Sequence, residues 1–185
     1  MTSDVTPPSG VRVVVTAHDE EGTSIVHSDQ IHEPFMPFGL GGSSFSIFDT
    51  RSSVPINNKG EPQYLQNTIP RPEPAGVTFC IANLAPHHSS PMHRTLSLDY
   101  CAVLSGEIVL ELDGGEERTI KTGEVVVQQG ANHVWHNRTD EVCRIVFVMV
   151  GAEKIKLSNG QELRETPIGN SSNSCLDSLE ERVYA

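Results

Sequence analysis

Two short polar clusters bracket the alternating apolar segment 93–137, HRTLSLDYCAVLSGEIVLELDGGEERTIKTGEVVVQQGANHVWHN, and constrain the chain more than any other feature. Successive side chains of a strand point to opposite faces, so parity decides which polar groups can meet. His93, Thr95, Ser97, Asp99, Cys101 and Val103 share one face of the first stretch. His133, Trp135 and Asn137 share one face of the last, with Val134 and His136 on the other. If both strands line one barrel, two imidazoles and a carboxylate converge inside it.

The rest of the chain fits that picture. Residues 1–10 are polar and proline-bearing and read as a flexible N-terminus. VRVVVTAHDEEGTSIVHSD reads as a hairpin with its second strand at 24–28, and 44–49 as a further strand. The stretch between them, IHEPFMPFGLGGSS, is too rich in Pro and Gly for regular structure. The loop 50–76 is long enough to be a lid, a dimer arm or a partly disordered segment, and its Ile-Pro-Arg-Pro-Glu-Pro piece must be extended. Strands are expected at 77–84, 96–105, 107–113, 116–121, 125–128, 133–137 and 142–150, separated by glycine turns as in sandwiches and barrels. The last is apolar at nearly every position, as if covered on both faces, one of them by a partner subunit. The expected organisation is therefore one all-β domain over 11–152, loop 50–76 included, followed by a tail, 153–185. That tail is partly helical, from the spacing of Leu176, Leu179 and Val183.

Composition narrows function by exclusion. A chain of 185 residues suits one domain with a substantial core. A net charge of -11 repels phosphate backbones and anionic membranes, so no nucleic-acid or membrane partner is expected. Cys80, Cys101, Cys143 and Cys175 show no paired spacing, and three lie in apolar runs as small buried hydrophobes. With no apolar leader at the N-terminus, a reduced, cytoplasmic setting follows.

The two clusters resemble the paired motifs of the cupin superfamily, whose fold is a double-stranded β-helix, or jelly-roll barrel. The first motif has the form G-x5-H-x-H-x3/4-E-x6-G, and HRTLSLDYCAVLSG supplies His93, Asp99 at the glutamate position and Gly106. The second has the form G-x5-P-x-G-x2-H-x3-N, and GEVVVQQGANHVWHN supplies Gly123, Gly130, His133 and Asn137, with one residue fewer between the glycines and Gln129 where proline belongs. The motif's second histidine is Thr95 here, and the glutamate is the shorter Asp99. The phrases VVVTAHDEEG, PMHRTLSLDYCAVLSGEIVLELDGG and VVVQQGANHVWHNRTDE look most like small cupins found beside secondary-metabolite genes.

That resemblance implies a metal site on His93, Asp99 and His133, taking one divalent ion (Zn, Fe or Mn), or metal-free acid–base catalysis by the same residues, or an empty barrel in which both histidines are only hydrogen-bonded. It also implies decarboxylation, dehydration or isomerisation of a small polyketide-like or aromatic acid, a lyase activity, and a homodimer. Two alternatives stand beside it: an Fe(II)-dependent oxygenase and a cupin that binds a small molecule without turnover. Thr95, Trp135 and Arg94 are the candidate substrate contacts. Trp135 either stacks on the substrate or fills the core, and parity turns Arg94 away from His93. His87 or His88 is a candidate replacement for the imidazole missing at Thr95.

Overall fold

The structure, a computed structural model, describes residues 9–166 apart from Pro62. The expected flexibility of residues 1–8 and the helical part of the tail fall outside them. Among the described residues there are ten strands and no helix: β1 Val11–His18, β2 Ser24–His32, β3 Ser44–Arg51, β4 Val77–Leu84, β5 Ser97–Ser105, β6 Glu107–Leu112, β7 Glu117–Lys121, β8 Val125–Gln129, β9 His133–His136 and β10 Cys143–Gly151. The all-β expectation holds, and most boundaries agree within a residue or two. The second hairpin strand is the main difference, running on to His32 because Ile31 and His32 pair with Arg12 and Val11.

The strands form a two-stranded hairpin, β1-β2, and two larger sheets in the orders β3-β4-β10-β5-β8 and β7-β6-β9. The larger sheets pack face to face around one apolar core. Ile108 and Trp135 from the small sheet meet Cys80, Cys101, Ile145 and Phe147 from the large one. The core is tight: Ile108 is 0% and Ile145 1% exposed. Removing such side chains from water stabilises by about 1.5–3 kcal/mol each.

β10 is the strand whose apolarity suggested cover on both faces. It lies between β4 and β5, and its residues alternate strictly, with Cys143, Ile145, Phe147 and Met149 buried and the intervening residues half-buried. Its inner face fills the core, and its half-buried outer face is continuous with that of β5 and β8. The most exposed apolar side chains of that outer face lie instead on β5 and β8, where Tyr100, Val125 and Val127 are 50%, 71% and 59% exposed.

Two features of the fold position the cavity. The long loop is tied down at both of its ends. Ser53 bridges Ala75, Val54 N donates to Ala75 O, and Gly76 O accepts from Gly151 N. Gly151 sits so close to the loop that a Cβ there would lie 2.1 Å from Glu73 O, which only glycine permits. The described C-terminal segment returns along the barrel, where Thr166 N donates to Arg94 O. Cys80, Cys101 and Cys143 are free and buried. No helix among the described residues is long and apolar enough to cross a membrane.

Candidate active site

The alternation read from sequence is the alternation observed. His93, Thr95, Ser97, Asp99, Cys101 and Val103 are all buried, and the residues between them are more exposed. His93 and His133 face each other as a hydrogen-bonded pair, each amide donating to the other's carbonyl at 2.9 Å. Their rings therefore stack obliquely, centroids 4.2 Å apart. Asp99 is paired in register with Gln128 of β8 and Met149 of β10.

These residues line a cavity of about 90 Å³. At roughly 10–15 Å³ per water, it accommodates about six to nine waters, or a ligand of comparable size. One pole is polar, formed by Arg71, His93, Thr95, Asp99, Gln128 and His133. The rest is largely apolar, with Phe38, Phe45, Leu84, Trp135 and Phe147 among its walls. Trp135 packs edge-on against both His133 and Phe147, at 5.6 and 6.3 Å between centroids.

The protonation of both imidazoles follows from their partners. His93 Nδ1 lies 2.8 Å from Pro91 O and His133 Nδ1 3.0 Å from Ala131 O. A carbonyl only accepts, so each Nδ1 carries the hydrogen and each Nε2 presents its lone pair. The Gln128 amide nitrogen stands 3.3 Å from His133 Nε2 and 3.4 Å from Asp99 Oδ2, with one N–H for each acceptor. Among the described residues His93 Nε2 has no partner, and Asp99 Oδ1 is buried without one. Desolvation holds both histidines below their ordinary pKa, His133 down to about 3, with the neighbouring His93 and Arg71 adding to the effect. Desolvation raises Asp99 instead, against the opposing influence of its hydrogen bonds and of Arg71. At neutral pH the two imidazoles are neutral bases beside a carboxyl that resists ionisation.

The three residues expected to hold a metal all line this cavity. Among the described residues, one group of three has its ligand atoms within 4.8 Å of one another, and it is Glu111, Glu117 and His136 on the outside of the small sheet. In the cavity the Gln128 amide lies within hydrogen-bonding reach of both the Asp99 carboxylate and the His133 imidazole. The outer group is an ion-pair network: His136 Nε2 is 2.7 Å from Glu111, and Arg138 grips Glu117 through two bonds of 2.9 and 2.5 Å.

Of the sequence candidates, His93, His133, Asp99, Thr95 and Trp135 meet in the cavity. Arg94 does not. Its Nε donates to Gly130 O at 2.9 Å, Nη1 reaches Arg164 O and Nη2 lies 3.8 Å from Asp113, so it ties the returning C-terminal segment to the barrel. Nor does a histidine replace the imidazole absent at Thr95. His87 pairs with Asp140 at the surface, and His88 reaches the cavity wall but is bound to Ser43 Oγ at 2.7 Å. Arg71, from the long loop, donates to Thr95 Oγ1 instead. Sequence reasoning missed Arg71 and Gln128. The parity of Gln128 with Val126 could have found the second, and the proline-flanked cation of Ile-Pro-Arg-Pro the first.

The profile described as a cupin domain, Cupin_2, matches residues 80–149. The chain is 35% identical over 151 residues to the phomopsin biosynthesis cluster protein C' of Diaporthe leptostromiformis, covering 77% of this chain and 79% of that protein. It is 30% identical over 155 residues to a cupin-domain-containing oxidoreductase of Aspergillus ruber, covering 80% and 76%. Among solved structures, the polyketide cyclase RemF from Streptomyces resistomycificus superposes with a TM-score of 0.45 at 14% identity, over 76% of this chain and 82% of that one.

Proposed function

The chain belongs to the cupin family, and from that membership and the chemistry of its cavity we propose that it is a small-molecule lyase of secondary metabolism acting by proton transfer inside the barrel. The observation that carries this is the pairing, in one buried pocket, of an unpartnered neutral base, His93 Nε2, with a carboxyl whose ionisation is suppressed, Asp99. Desolvation favours the neutral form of each group, an imidazole with a free lone pair and a carboxyl biased towards its protonated form, which is the pairing a base and an acid need. His93 takes a proton from a carbon beside a carbonyl. The Asp99 carboxyl, its Oδ2 held by the Gln128 amide and its Oδ1 unpartnered, stands at the same pole to hydrogen-bond the oxyanion that develops. His133 stays neutral, so it accepts from Gln128 and orients it; it is not the proton donor. The apolar walls exclude water and, through Trp135, offer an aromatic face to a polyketide-like or aromatic body.

The biosynthesis-cluster names of the relatives support a place in secondary metabolism. The three buried free thiols support a reducing, cytoplasmic setting. The apolar outer face at Tyr100, Val125 and Val127 supports a homodimer. The donor set as placed does not fit a three-ligand divalent metal, and no step here is routed through one.

A second reading, oxidoreductase chemistry, is favoured by one observation: relatives from Aspergillus ruber and Hypocrea virens carry that designation across most of the aligned chain. Anaerobic incubation with a panel of short β-hydroxy and β-keto acids in deuterated water separates the two. Loss of water or carbon dioxide, or deuterium uptake at carbon, abolished in His93→Gln, is the outcome expected of a lyase. Turnover that appears only when oxygen is admitted would replace the lyase by the oxidoreductase.

A further inference from the structure

Arg71 belongs to neither sequence motif, yet it reaches the polar pole of the cavity. The loop delivers it on a stiff arm. Pro70 and Pro72 fix their own φ and keep their predecessors extended, and Glu73–Pro74 is packed hard against Gly151. Its Nη1 donates to Thr95 Oγ1, and its Nε lies 3.0 Å from Glu165 Oε1 on the returning C-terminal segment. A guanidinium carries five N–H donors, and among the described residues Nη2 has no acceptor. Its side chain is 29% exposed, so a cation has been brought largely out of water with more donors than the protein satisfies.

We infer that Arg71 is the carboxylate clamp of this cavity, and that the ligand is a small aryl or short-chain carboxylate held on the Nη edge beside Thr95 with its body against Trp135. This rests on taking the cavity as the active site. Planar guanidinium and planar carboxylate match in charge and in fork geometry, as a lysine would not. Thr95 lies two residues from His93 on the same face, about 6–7 Å along an extended chain. A carboxylate held there presents to His93 a carbon only one or two bonds away. The ion pair also stabilises the carboxylate against leaving as carbon dioxide. The clamp therefore selects dehydration or isomerisation, with the acid group retained, over decarboxylation.

Trp135 is the chain's only tryptophan and lines the cavity, so intrinsic fluorescence of the full chain reports occupancy. The probes are benzoate and its neutral isostere benzamide, titrated into wild type, Arg71→Met, Arg71→Lys and Glu165→Gln. Benzoate is expected to perturb Trp135 at least about tenfold more tightly than benzamide, since a charged hydrogen-bonded pair outweighs a neutral one by that order. Arg71→Met should weaken benzoate by about 10- to 100-fold and leave benzamide unchanged, with Arg71→Lys in between. Glu165→Gln removes the carboxylate that competes for the same guanidinium and should tighten benzoate several-fold. Loss of fold cannot produce opposite signs at the two positions. Equal binding of the two probes in wild type, or benzoate binding unchanged in Arg71→Met, overturns the clamp and leaves the cavity as the binding site. Silence towards both probes overturns the clamp and the active-site reading together. If Arg71→Met does not fold, Glu165→Gln decides alone, and benzoate binding that fails to tighten there refutes the clamp.

Discussion

Acidification should destabilise this protein in a way that a single substitution removes. His133 is buried with its pKa lowered from 6.5 to about 3, chiefly by desolvation and then by the adjacent His93. Lowering the pKa of a base means that, below pH 6.5, the native state binds fewer protons than the unfolded chain. The stability involved is fully present above that pH and drains away as the pH falls towards 3. Between pH 7 and pH 5 the unfolded His133 gains a proton that the native one refuses, which costs about 2 kcal/mol. For a chain of this size that lowers the melting temperature by roughly 4–8 °C. His93 shifts in the same direction and adds to the loss. Asp99 works the other way: its raised pKa lets the native state take up a proton first, so its contribution grows as the pH falls through that value. His133→Gln isolates the one group, since both neighbours remain in the variant. Urea unfolding of wild type and variant across pH 4–7 should show the wild type losing about 1.4 kcal/mol more per pH unit below 6. Parallel pH dependences, or an imidazole resonance of His133 that titrates above pH 5, would refute the desolvated neutral pair and with it the choice of His93 as base.

Asn137→Ala should cost about 3–5 kcal/mol in the same unfolding assay without altering cavity occupancy. Its amide donates to Leu84 O and Glu141 O and its oxygen accepts from Thr139, all at a residue only 1% exposed, so two carbonyls lose their partner. Gly151→Ala should displace Glu73–Pro74 and the arm that carries Arg71, weakening benzoate about as much as Arg71→Met; retained affinity would show that the arm is seated by something else. If the outer face of β5 and β8 closes a homodimer, the wild type sediments as a dimer and Val125→Glu with Val127→Glu as a folded monomer, whereas a monomeric wild type removes the dimer from the proposal.

How much was legible in advance depended on whether the information was local. Strand positions were, because glycine turns and two-residue alternation are properties of neighbours in sequence, and β4 was read to the residue. The convergence of His93, Asp99 and His133 on one cavity was also legible, since parity along two strands is local and only their pairing had to be supplied. What failed depended on long-range placement. Arg94 stayed a candidate beside His93 although parity alone turns it to the opposite face, and what it meets there, Gly130 and Asp113, is set by distant segments. Arg71, by contrast, is 24 residues away from its partner Thr95, in a loop whose path no periodicity describes.

The departures from the family motifs, which look like separate losses in sequence, make sense as one rearrangement. Threonine in place of the second motif histidine removes a metal-seeking imidazole and supplies a hydroxyl, and that hydroxyl receives the Arg71 guanidinium. A cation there disfavours a second cation nearby, as the lowered pKa values of both remaining histidines already register. Aspartate in place of glutamate draws the carboxylate back by one methylene, and the space towards His133 is spanned by the Gln128 amide, which donates to both. Each change taken alone would weaken a metal site and give nothing in return. On the proposed reading they together exchange a ligand set for an anion-binding pole with a neutral base and a suppressed acid beside it. Restoring one residue should therefore not restore metal binding. Thr95→His would face Arg71 and a carboxylate still bridged by Gln128, whereas Thr95→His with Asp99→Glu, Arg71→Met and Gln128→Leu removes every obstacle named here. Zinc titration by calorimetry should find a stoichiometric site only in the fourfold variant; a comparable site in the single variant would show that the departures are independent after all.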